Sequence, residues 1–400
     1  MRPFDGRRVL LGVAGGIAAY KSAELARRLV QSGSEVQVIL TSGGARFVGS
    51  TTFEALTGRP VRESLWEGAL SHIDVGRWAD AIVVAPATAD VMAKLAAGIA
   101  DDLLTTTLLA AGDRALLAPA MNTRMYEHPA TQRNIGTLRS FGHPIVGPAY
   151  GELAEGEVGF GRMAEPDEIL AYVGRLLEPE GRWRGRRVVV TAGPTWEPVD
   201  AVRFLGNRSS GRMGHAIAAA AWRRGAEVVL VNGPTEMPPP PEIEDVRQVE
   251  AAEEMGTALR DALLDADALF MAAAVADFRP SKPRDDKIRR SGGMTSIAVE
   301  SAPDLMATAR ENASDDCVMV AFALELGEGG EASARRKMQE KGAHLIVLND
   351  PSEPGSGFGV ETNRVTIIDA SGAAETLPQM LKIEAADEIL DRAERYLPSD

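Results

Sequence analysis

The chain has 400 residues, of which 45% are hydrophobic and 25% charged, so it is long enough for two domains with full cores. A formal net charge of −14 at pH 7 argues against nucleic acid or an anionic membrane surface as the main partner. Cys317 is the single cysteine and no apolar run reaches 18 residues, which excludes an internal disulfide framework, a Cys-rich zinc site and a membrane span, and we expect a cytoplasmic protein.

The first half alternates short apolar runs with amphipathic stretches. A strand is predicted over Val9–Val13 and a helix over Ile17–Gln31, which Gly33 ends. Further apolar runs predict four more strands, at Val36–Leu40, Ala81–Ala85, Ala115–Ala118 and Pro144–Val146. Apolar strands separated by helices are typical of a parallel sheet that is covered on both faces.

A charged stretch that contains Gly and Pro, Gly174–Gly185, is interpreted as a linker. We therefore predict two doubly wound, Rossmann-like three-layer α/β domains over residues 1–182 and 183–400. In the second domain a helix is predicted over Gly214–Arg224, and strands at Val188–Thr191, Glu227–Val231, Ala268–Ala274, Val318–Phe322 and Leu345–Leu348. Pro238–Pro241 predicts a stiff extended loop and Gly327–Gly330 a mobile one.

Small and hydroxylated residues follow three strands of the first half. Gly15, Gly16 and Ile17 follow the first strand, Thr41 and Ser42 the second, and Pro86 to Thr88 a later one. Ligands of such sheets bind beyond the carboxyl ends of the strands, where helix-start N–H groups can hold an anion. On these residues alone, a phosphate site and a plain strand-to-helix turn both remain open.

Several motifs in order make residues 7–172 resemble the flavin-binding decarboxylase family, whose fold is flavodoxin-like. The motifs are Gly15-Gly16-Ile17, Ser71-His72-Ile73, Trp78-Ala79-Asp80, Ala85–Asp90, Asp101–Thr106 and Pro119–Asn122. The resemblance implies bound FMN, with its phosphate near Gly15–Ile17 and Thr88. It also implies that the flavin ring lies near Pro86 and the pair Thr105 and Thr106.

The resemblance implies two catalytic residues in this half. His72 matches the family's active-site base, and Asn122 matches the asparagine that holds the substrate carboxylate. Taken singly, His72 could be a surface histidine and Asn122 a loop cap. In this family, flavin oxidation of the cysteine side chain creates the electron sink for CO₂ loss, and the resulting ene-thiol is then reduced.

The family's substrate-covering flap usually carries a cysteine that returns a proton to the product. Residues 151–163 match this flap, but Glu155 stands at the cysteine position. We expect Glu155, or a nearby group, to donate the proton, because burial can raise the pKa of a carboxyl group. The alternative is a slow last step or release of the oxidised ene-thiol.

The second half contains another strand-to-turn segment, Val188–Thr195, and then Asn207-Arg208-Ser209-Ser210-Gly211 before the predicted helix. Hydroxyls and helix-start N–H groups suit a phosphate or a carboxylate, although a Ser-Ser-Gly sequence can also be a simple helix cap. Lys337 and Lys341 are four residues apart on a predicted helix and could be an ordinary solvated face.

Together with later motifs, these segments make residues 184–396 resemble the CTP-dependent phosphopantothenate–cysteine ligase. The matching residues are Thr191–Thr195, Asn207–Gly214, Ala272–Asp277, Lys287, Phe322, Lys337, Lys341, Asn349-Asp350 and Gly357-Phe358-Gly359. The resemblance implies that CTP converts the substrate carboxylate to an acyl-cytidylate and that the amine of cysteine then displaces CMP. His344 and Leu326 depart from the family pattern, and we expect both changes to be tolerated.

The resemblance also assigns ligase residues. Asp277 would bind nucleotide and Mg²⁺, Lys287 would act on the phosphates, and Asn207 would stabilise the acyl-cytidylate. Arg203, with Ser209, Ser210 and Gly211, would bind substrate. The remaining nucleotide contacts would be Met271, Ala272, Ala273, Pro303, Asp304, Leu305, Met306, Phe322, Lys337 and Lys341.

The leading interpretation is a bifunctional enzyme of coenzyme A biosynthesis that needs FMN, Mg²⁺ and CTP. Its small-molecule substrates would be 4'-phosphopantothenate and cysteine, and the resemblance implies flavin-domain trimers, which can form a dodecamer, and ligase-domain dimers. The alternatives are a ligase with a weakly active flavin domain, a non-catalytic flavin module, and an NAD-dependent reductase. The last lacks a Gly-x-Gly-x-x-Gly sequence after Val9–Val13 or Val188–Val190.

Overall fold

The computed structural model describes residues 2–66, 71–112, 115–289, 296–325, 329–350, 352–353, 355–357 and 359–398. The chain forms two units, Met1–Glu178 and Pro179–Asp400, and each has its own sheet. Leu326 and Phe358, which the sequence comparison singled out, lie outside the described residues. No helix in the described part of the chain is long and apolar enough to cross a membrane.

The first unit is a four-stranded parallel sheet between two layers of helices. Its strands are β1 (Arg8–Val13), β2 (Glu35–Leu40), β3 (Ala81–Ala87) and β4 (Ala115–Pro119), in the order β2-β1-β3-β4. A two-stranded hairpin of β5 (Ala149–Glu152) and β6 (Val158–Arg162) stands apart from the sheet. The helices are α1 (Ala19–Gln31), α2 (Ser50–Thr57), α3 (Ser71–Trp78), α4 (Ala89–Ala97), α5 (Leu103–Ala111), α6 (Thr123–Glu127), α7 (Pro129–Ser140) and α8 (Pro166–Leu177).

The alternation of side chains along β1 explains the two helical layers. Val9, Leu11 and Val13 belong to one buried cluster with α1, α2 and α8. Leu10 faces the other cluster, with residues of α3, α4, α5 and α7. Since successive residues of a strand point to opposite faces, an unbroken apolar strand requires apolar cover on both sides.

The second unit has an eight-stranded mixed sheet in the order β11-β10-β7-β12-β15-β16-β18-β19, whose first six strands are parallel. Its strands are β7 (Arg187–Ala192), β10 (Glu227–Asn232), β11 (Asp245–Gln248), β12 (Ala268–Met271), β15 (Val318–Leu324), β16 (Leu345–Asn349), β18 (Val365–Asp369) and β19 (Ala374–Thr376). The short strands β8 (Trp196–Pro198) and β9 (Phe204–Gly206), β13 (Phe278–Pro280) and β14 (Val299–Ser301), and β17 (Thr362–Asn363) and β20 (Met380–Leu381) form separate antiparallel pairs.

Helices again cover both faces of this sheet. They are α9 (Arg212–Arg223), α10 (Ala252–Ala262), α11 (Leu305–Asn312), α12 (Gly330–Lys341) and α13 (Lys382–Ala393). Residues of α9 and α13 share a buried cluster with Val188 and Val190, whereas α10, α11 and α12 pack on the side of Val189. The predicted three-layer architecture of two α/β domains is therefore confirmed.

Several predicted boundaries are wrong for local reasons. Pro144–Val146 is not a strand: only Ile145 bridges Leu117, because Gly147 has φ +76° and Pro148 has no N–H to extend the pairing. Ala268–Ala274 is a strand only to Met271, since the backbone of Ala273 turns to donate to the Thr191 hydroxyl.

The predicted linker is also too long. Gly174 lies inside α8 and is buried, because that turn of the helix faces the core. At the other end Trp183 is 1% exposed and packs beside Phe270, so it belongs to the core of the second unit. The predicted loop at Gly327–Gly330 ends earlier than expected, since Gly330 begins α12; residues 327–328 lie outside the described residues.

Candidate active sites

Each sheet has one point where the strand order reverses, and the predicted site segments follow the strands beside it. In the first unit this point lies between β1 and β3, and in the second between β7 and β12. Ligands of doubly wound sheets bind in the crevice at such a point, outside the carboxyl ends of the strands. The topology therefore places one candidate site in each unit.

A cavity of about 910 Å³ lies at the switch point of the first unit. A smaller cavity, of about 370 Å³, lies in the second unit. Eight residues that the sequence analysis singled out line this cavity of about 910 Å³: Gly15, Gly16, Ile17, Thr41, Ser42, Thr88, Asn122 and Glu155. They come from five separate parts of the chain: the loops after β1, β2, β3 and β4, and the β5–β6 hairpin. Its volume lies in the range of cofactor and ligand pockets.

Close backbone contact shapes the floor of the cavity. A Cβ atom at Gly15 would lie 2.7–2.9 Å from the backbone of Gly43, so only glycine fits there. Thr88 is the N-cap of α4, and its hydroxyl accepts a hydrogen bond from the Val91 N–H at 3.3 Å. Gly15–Ile17 precede α1, whose first turn carries no acidic residue. This end of the cavity is therefore suited to an anion such as a phosphate group.

Two lysines also line the cavity and are held by carboxylates. The Lys21 ammonium donates to the carbonyl of Met163 at 3.1 Å and pairs with Glu165 at 2.8 Å. Lys94 pairs with Asp90 at 3.1 Å and Asp101 at 3.2 Å, and the hydrogen bond that it donates to Asp90 is the main cause that raises the pKa of Lys94. The ammonium groups of both lysines are therefore held by carboxylates where they border the cavity.

The β5–β6 hairpin brings two carboxylates onto the predicted carboxylate-binding asparagine. Asn122 caps α6 through its side-chain oxygen, which accepts from the Arg124 N–H at 2.8 Å. Its Nδ2 then donates to Glu155 and, at 3.3 Å, to Glu157. The cap role and the ligand role that the sequence left open are thus compatible, because they use different atoms of one amide.

Three other predicted residues and His72 do not line this cavity within one chain. Thr105 is buried in a capping box with Asp102, and Thr106 donates to the Asp102 carbonyl at 2.6 Å. Pro86 is buried within β3. His72 is half-buried on α3, which packs against α5. Sequence order alone could not show that these side chains lie outside the cavity lining of their own chain.

In the second unit, the loops after β7 and β12 are bonded to each other. The Ala274 N–H donates to the Gly193 carbonyl at 2.9 Å, and the Ala276 N–H donates to the Thr195 hydroxyl at 3.0 Å. The Asn207 side chain donates to the Val275 carbonyl at 2.8 Å. Met271 ends β12, and Ala272 and Ala273 follow it beside this junction, so the predicted segments around Asn207 and Asp277 are neighbours.

The Ser-Ser-Gly segment begins α9, but its serines do not cap the helix. Gly211 is the N-cap, at φ +75°, and it donates its N–H to the Ser209 hydroxyl at 3.3 Å. A Cβ at Gly214 would lie 2.6 Å from the Cβ of Ala192, so the start of α9 lies directly against the end of β7. The helix start is therefore held at the switch point, with Ser209 and Ser210 half-buried beside it.

The predicted nucleotide-binding side chains gather in two groups around the carboxyl ends of β12 and β15. Asp304 caps α11 by accepting from the N–H groups of Met306 and Ala307, and it lies 3.8 Å from the Lys341 ammonium. Lys337 pairs with Glu325 at 2.6 Å, just after the end of β15. Both lysines of α12 thus point to carboxylates at this edge of the sheet, which an extended solvated face would not require.

The other predicted residues of this unit are more exposed. Asp277 and Lys287 are exposed, Phe322 is half-buried at the end of β15, and Pro303 and Leu305 flank the α11 cap. A cavity of about 370 Å³ is lined by Glu325 and Gly330 among others, and by none of the predicted nucleotide-binding residues. Among the described residues, no group of three or more His, Cys, Asp or Glu side chains is arranged to hold a metal ion.

The structure explains one of the two residues that depart from the family pattern, His344. His344 accepts a hydrogen bond from the Met319 N–H at 3.0 Å through Nδ1, and its own N–H donates to the Met319 carbonyl. The residue therefore joins the starts of β15 and β16. Burial lowers the pKa of His344, so it is neutral in this role.

Comparisons with known proteins divide the chain at the same place. The family model described as Flavoprotein matches residues 2–178, and the one described as DNA/pantothenate metabolism flavoprotein C-terminal domain matches residues 183–396. The chain is 42% identical over 392 residues to the coenzyme A biosynthesis bifunctional protein CoaBC of Bacillus subtilis, with 96% of each chain covered.

The CoaBC protein of Vibrio vulnificus is 41% identical over 404 residues, which covers 99% of this chain and all of that one. Among solved structures, the C-terminal domain of a coenzyme A biosynthesis bifunctional protein CoaBC is 37% identical. That match has a TM-score of 0.45 and covers 53% of this chain and 95% of the other.

Proposed function

Since this chain belongs to the family of bifunctional coenzyme A biosynthesis proteins, with a flavoprotein decarboxylase unit and a ligase unit, we propose that it converts 4'-phosphopantothenate to 4'-phosphopantetheine in two steps. The ligase unit joins cysteine to the carboxylate of 4'-phosphopantothenate at the expense of CTP. The decarboxylase unit then removes CO₂ from the cysteine part. Matches to both units over their full length give no support to a ligase-only chain.

We propose FMN as the flavin of the first unit. The observation that carries this is the 910 Å³ cavity, whose lining joins the anion-suited segment Gly15–Ile17 to Asn122 and Glu155. Gly15 and Thr88 supply backbone and hydroxyl groups for the phosphate, and Thr41 and Ser42 border it. When bound, the flavin accepts electrons from the substrate's cysteine side chain and returns them after CO₂ has left.

The protein's own groups orient the substrate and handle protons. The Asn122 amide would donate to the substrate carboxylate in place of the flap carboxylates it now holds. Glu155 would then deliver the proton that completes the saturated product. We assign the role of base to His72, with Thr105, Thr106 and Pro86 near the flavin ring.

We propose that a subunit boundary accounts for two of the residues that do not line the cavity of their own chain, His72 and Thr106. His72 on α3 and Thr106 on α5 lie on neighbouring helices. We propose that a second copy in a flavin-domain trimer presents this pair to the cavity, and that trimers can assemble further into a dodecamer.

In the ligase unit, the substrate carboxylate attacks the α-phosphate of CTP, and the bond to diphosphate breaks. The amine of cysteine then attacks the acyl carbon, and CMP leaves. Lys287, Lys337 and Lys341 would offset charge on the phosphates, since an ammonium stabilises negative charge that develops during transfer. Met271, Ala272, Ala273, Phe322 and Pro303–Met306 would surround the base and sugar.

Mg²⁺ would enter with the triphosphate. Asp277 is an exposed carboxylate that follows β12, and Mg²⁺ is often held by one or two carboxylates together with substrate phosphates and water. We place 4'-phosphopantothenate against Arg203, Asn207 and the Ser209–Gly211 segment. The start of α9 supplies N–H groups for an anion there.

We propose that ligase units pair as dimers through two adjacent hairpins. Hairpins β8–β9 and β13–β14 pack together, and Trp196 stacks on Phe204 at 4.1 Å between ring centroids. Several large apolar side chains on or beside these hairpins are exposed: Val202, Phe204, Phe278, Ile297 and Val299. A group of exposed apolar side chains on neighbouring hairpins is typical of a protein interface. The single, buried Cys317 suits a reducing compartment, and we propose the cytoplasm.

One incubation tests the two-step proposal. The purified chain with FMN is given 4'-phosphopantothenate, cysteine, CTP and Mg²⁺, and both products are followed by mass. We expect 4'-phosphopantothenoylcysteine to appear first and 4'-phosphopantetheine, lighter by one CO₂, to replace it. Formation of the first product without the second, with flavin bound, would contradict the proposal for the decarboxylase unit.

A further inference from the structure

A buried carboxylate, Asp200, connects the two loops that carry Arg203 and Lys287. Asp200 lies in the turn between β8 and β9, and its side chain is fully screened from solvent. Oδ1 accepts from the N–H groups of Val202 and Arg203, at 2.8 and 2.9 Å. These two bonds shape the turn that presents Arg203.

The second oxygen of Asp200 reaches a different part of the chain. Oδ2 accepts from the Ile288 N–H at 3.1 Å and from the Arg203 guanidinium at 3.2 Å. Arg203 also donates to the Ile288 carbonyl at 3.4 Å. Both backbone polar groups of Ile288 are thus held, and the residue directly before it is Lys287.

A backbone hydrogen bond and the burial of Ile288 also hold the Lys287 loop against the Asp200 turn. The Arg284 N–H donates to the Val199 carbonyl at 3.2 Å, and Ile288 is 9% exposed. Lys287 and the neighbouring Asp285 and Asp286 are exposed. The segment from Arg284 to Arg289 therefore has one buried anchor, at Ile288, beside otherwise solvated residues.

The electrostatic balance keeps Asp200 ionised. Burial by itself would raise the pKa of this carboxyl, but the hydrogen bonds from the N–H groups of Val202, Ile288 and Arg203 and the Arg203 charge outweigh burial and lower it. A carboxylate that accepts several N–H bonds is strongly favoured over its acid form. Its four contacts therefore persist across the neutral pH range.

We propose that Asp200 is a positioning residue of the ligase, which holds the Arg203 turn and the Lys287 segment in one fixed geometry. The inference rests on the proposed roles of Arg203 at the substrate and Lys287 at the nucleotide phosphates. Because formation of the acyl-cytidylate needs the carboxylate and the α-phosphate aligned, a shift of about 1 Å between these two groups is enough to cost on the order of 100-fold in rate.

The test is Asp200→Asn in the full chain, with Asp265→Asn as the matched control. An asparagine has one side-chain oxygen, so it can satisfy either the turn or the Ile288 link but not both. Asp265 is exposed and precedes β12, at the edge of the sheet opposite the site. We expect kcat/KM of the ligase for 4'-phosphopantothenate to fall about 10- to 100-fold in Asp200→Asn and to stay unchanged in Asp265→Asn.

Limited trypsin digestion gives a readout that does not depend on activity. Trypsin cleaves the Lys287–Ile288 bond, whose N–H is the group that Asp200 holds. We expect Asp200→Asn to speed cleavage there while the rest of the ligase unit stays resistant; cleavage throughout the unit would instead indicate a merely structural role and overturn the proposal. Unchanged ligase kinetics with unchanged cleavage at Lys287 would also overturn it.

Lys287→Ala separates failure of this inference from failure of the proposed function. If Lys287→Ala abolishes ligation while Asp200→Asn leaves kcat/KM and cleavage unchanged, the proposed ligase site stands and the role of Asp200 is wrong. If Lys287→Ala ligates at the wild-type rate, the assignment of Lys287 is wrong and the inference falls with it. Decarboxylation of supplied 4'-phosphopantothenoylcysteine by each variant checks that the first unit is intact, and resistance to trypsin outside Lys287 checks that the ligase unit is folded.

Discussion

At the residue scale, Asn122 shows how one side chain serves both fold and chemistry. Its oxygen caps α6, which leaves its two N–H donors directed at the carboxylates of the β5–β6 hairpin. Glu155 lines the cavity, whereas Glu157 does not and instead lies 3.5 Å from Arg124. The two flap carboxylates are thus close in sequence but differ in access to the cavity.

Glu155→Gln tests the assigned proton donor, with Glu157→Gln as the matched control. Since glutamine cannot donate an acidic proton, we expect the saturated product to fall by about 100-fold or more while CO₂ release continues. The ene-thiol product should accumulate in its place. Mass analysis of the products after reaction with 4'-phosphopantothenoylcysteine measures the ratio. Undiminished 4'-phosphopantetheine would rule out Glu155 as the donor.

A buried histidine gives the ligase unit a specific pH dependence. His215 on α9 is 3% exposed, and its Nε2 lies 2.8 Å from the side-chain oxygen of Asn232. Burial lowers the pKa of His215, and the bond to Asn232 opposes this only in part. The unfolded chain therefore binds a proton more readily than the folded one, so stability is complete above the unfolded pKa of about 6.5 and is lost as pH falls below it.

We expect His215→Gln to flatten the loss of ligase-unit stability between about pH 7 and pH 5. Thermal unfolding at several pH values measures this as the pH dependence of Tm. His344, whose pKa burial also lowers, retains part of the slope. His128→Gln, at an exposed position in the first unit, is the control and should leave the slope of the ligase transition unchanged. An equal slope in wild type and His215→Gln would refute the assignment.

At the element scale, both sheets have the same hydrogen-bond pattern at the start of the first strand, between an arginine and an aspartate. Asp80 accepts from the Arg8 N–H at 2.8 Å, and Asp267 accepts from the Arg187 N–H at 2.7 Å. Each aspartate also donates its own N–H to the carbonyl of the same arginine. The same pair of hydrogen bonds thus aligns β1 with β3 in the first unit and β7 with β12 in the second.

Helices α9 and α13 are joined by a buried charge cluster. Asp387 on α13 is 2% exposed and accepts from Arg223 and, at 3.2 Å, from Arg224. Arg224 also pairs with Asp391 at 2.7 Å. Because α9 begins at the proposed ligase site, this cluster holds the far end of the helix against the sheet.

Asp387→Ala should destabilise the ligase unit by about 3–5 kcal/mol, since it leaves two buried guanidinium groups without their shared partner. Urea unfolding measures the change. Glu375→Ala is the control: Glu375 pairs with Arg392 on the same helix but is mostly exposed, and its removal should cost less than about 1 kcal/mol. Equal effects from the two substitutions would contradict a buried role for Asp387.

At the scale of the whole molecule, two units with separate cores carry two separate switch points. The clusters on the two faces of each sheet contain residues of that unit alone. We place the proposed flavin in the first unit and CTP in the second. Stabilisation by a ligand should follow the same division.

Calorimetry with and without ligands tests this division. FMN at 100 times its Kd should raise the unfolding free energy of the first unit by about 2.7 kcal/mol, and removal of the flavin should reverse it. CTP with Mg²⁺ should shift only the transition of the second unit. ADP-ribose, an unrelated diphosphate, serves as the control ligand. A shift of both transitions by either ligand would contradict the assignment.

The sequence determined the architecture and most of the cavity-lining residues for a simple reason. Unbroken apolar strands require helices on both faces, and the residues after parallel strands must share one edge. Gly15, Thr41 and Thr88 could therefore be placed together from their positions alone. Motif order supplied the chemistry that these positions serve.

Only the tertiary structure decided contacts between segments that are distant in sequence. The end of the strand at Met271, the bridge that replaces a strand at Ile145, and the place of Trp183 in the core all depend on partners far along the chain. Asp200 carries no motif signal by itself, because its role arises from an N–H 88 residues away. Local pattern fixes which side chains face inward, but long-range hydrogen bonds fix which loops meet.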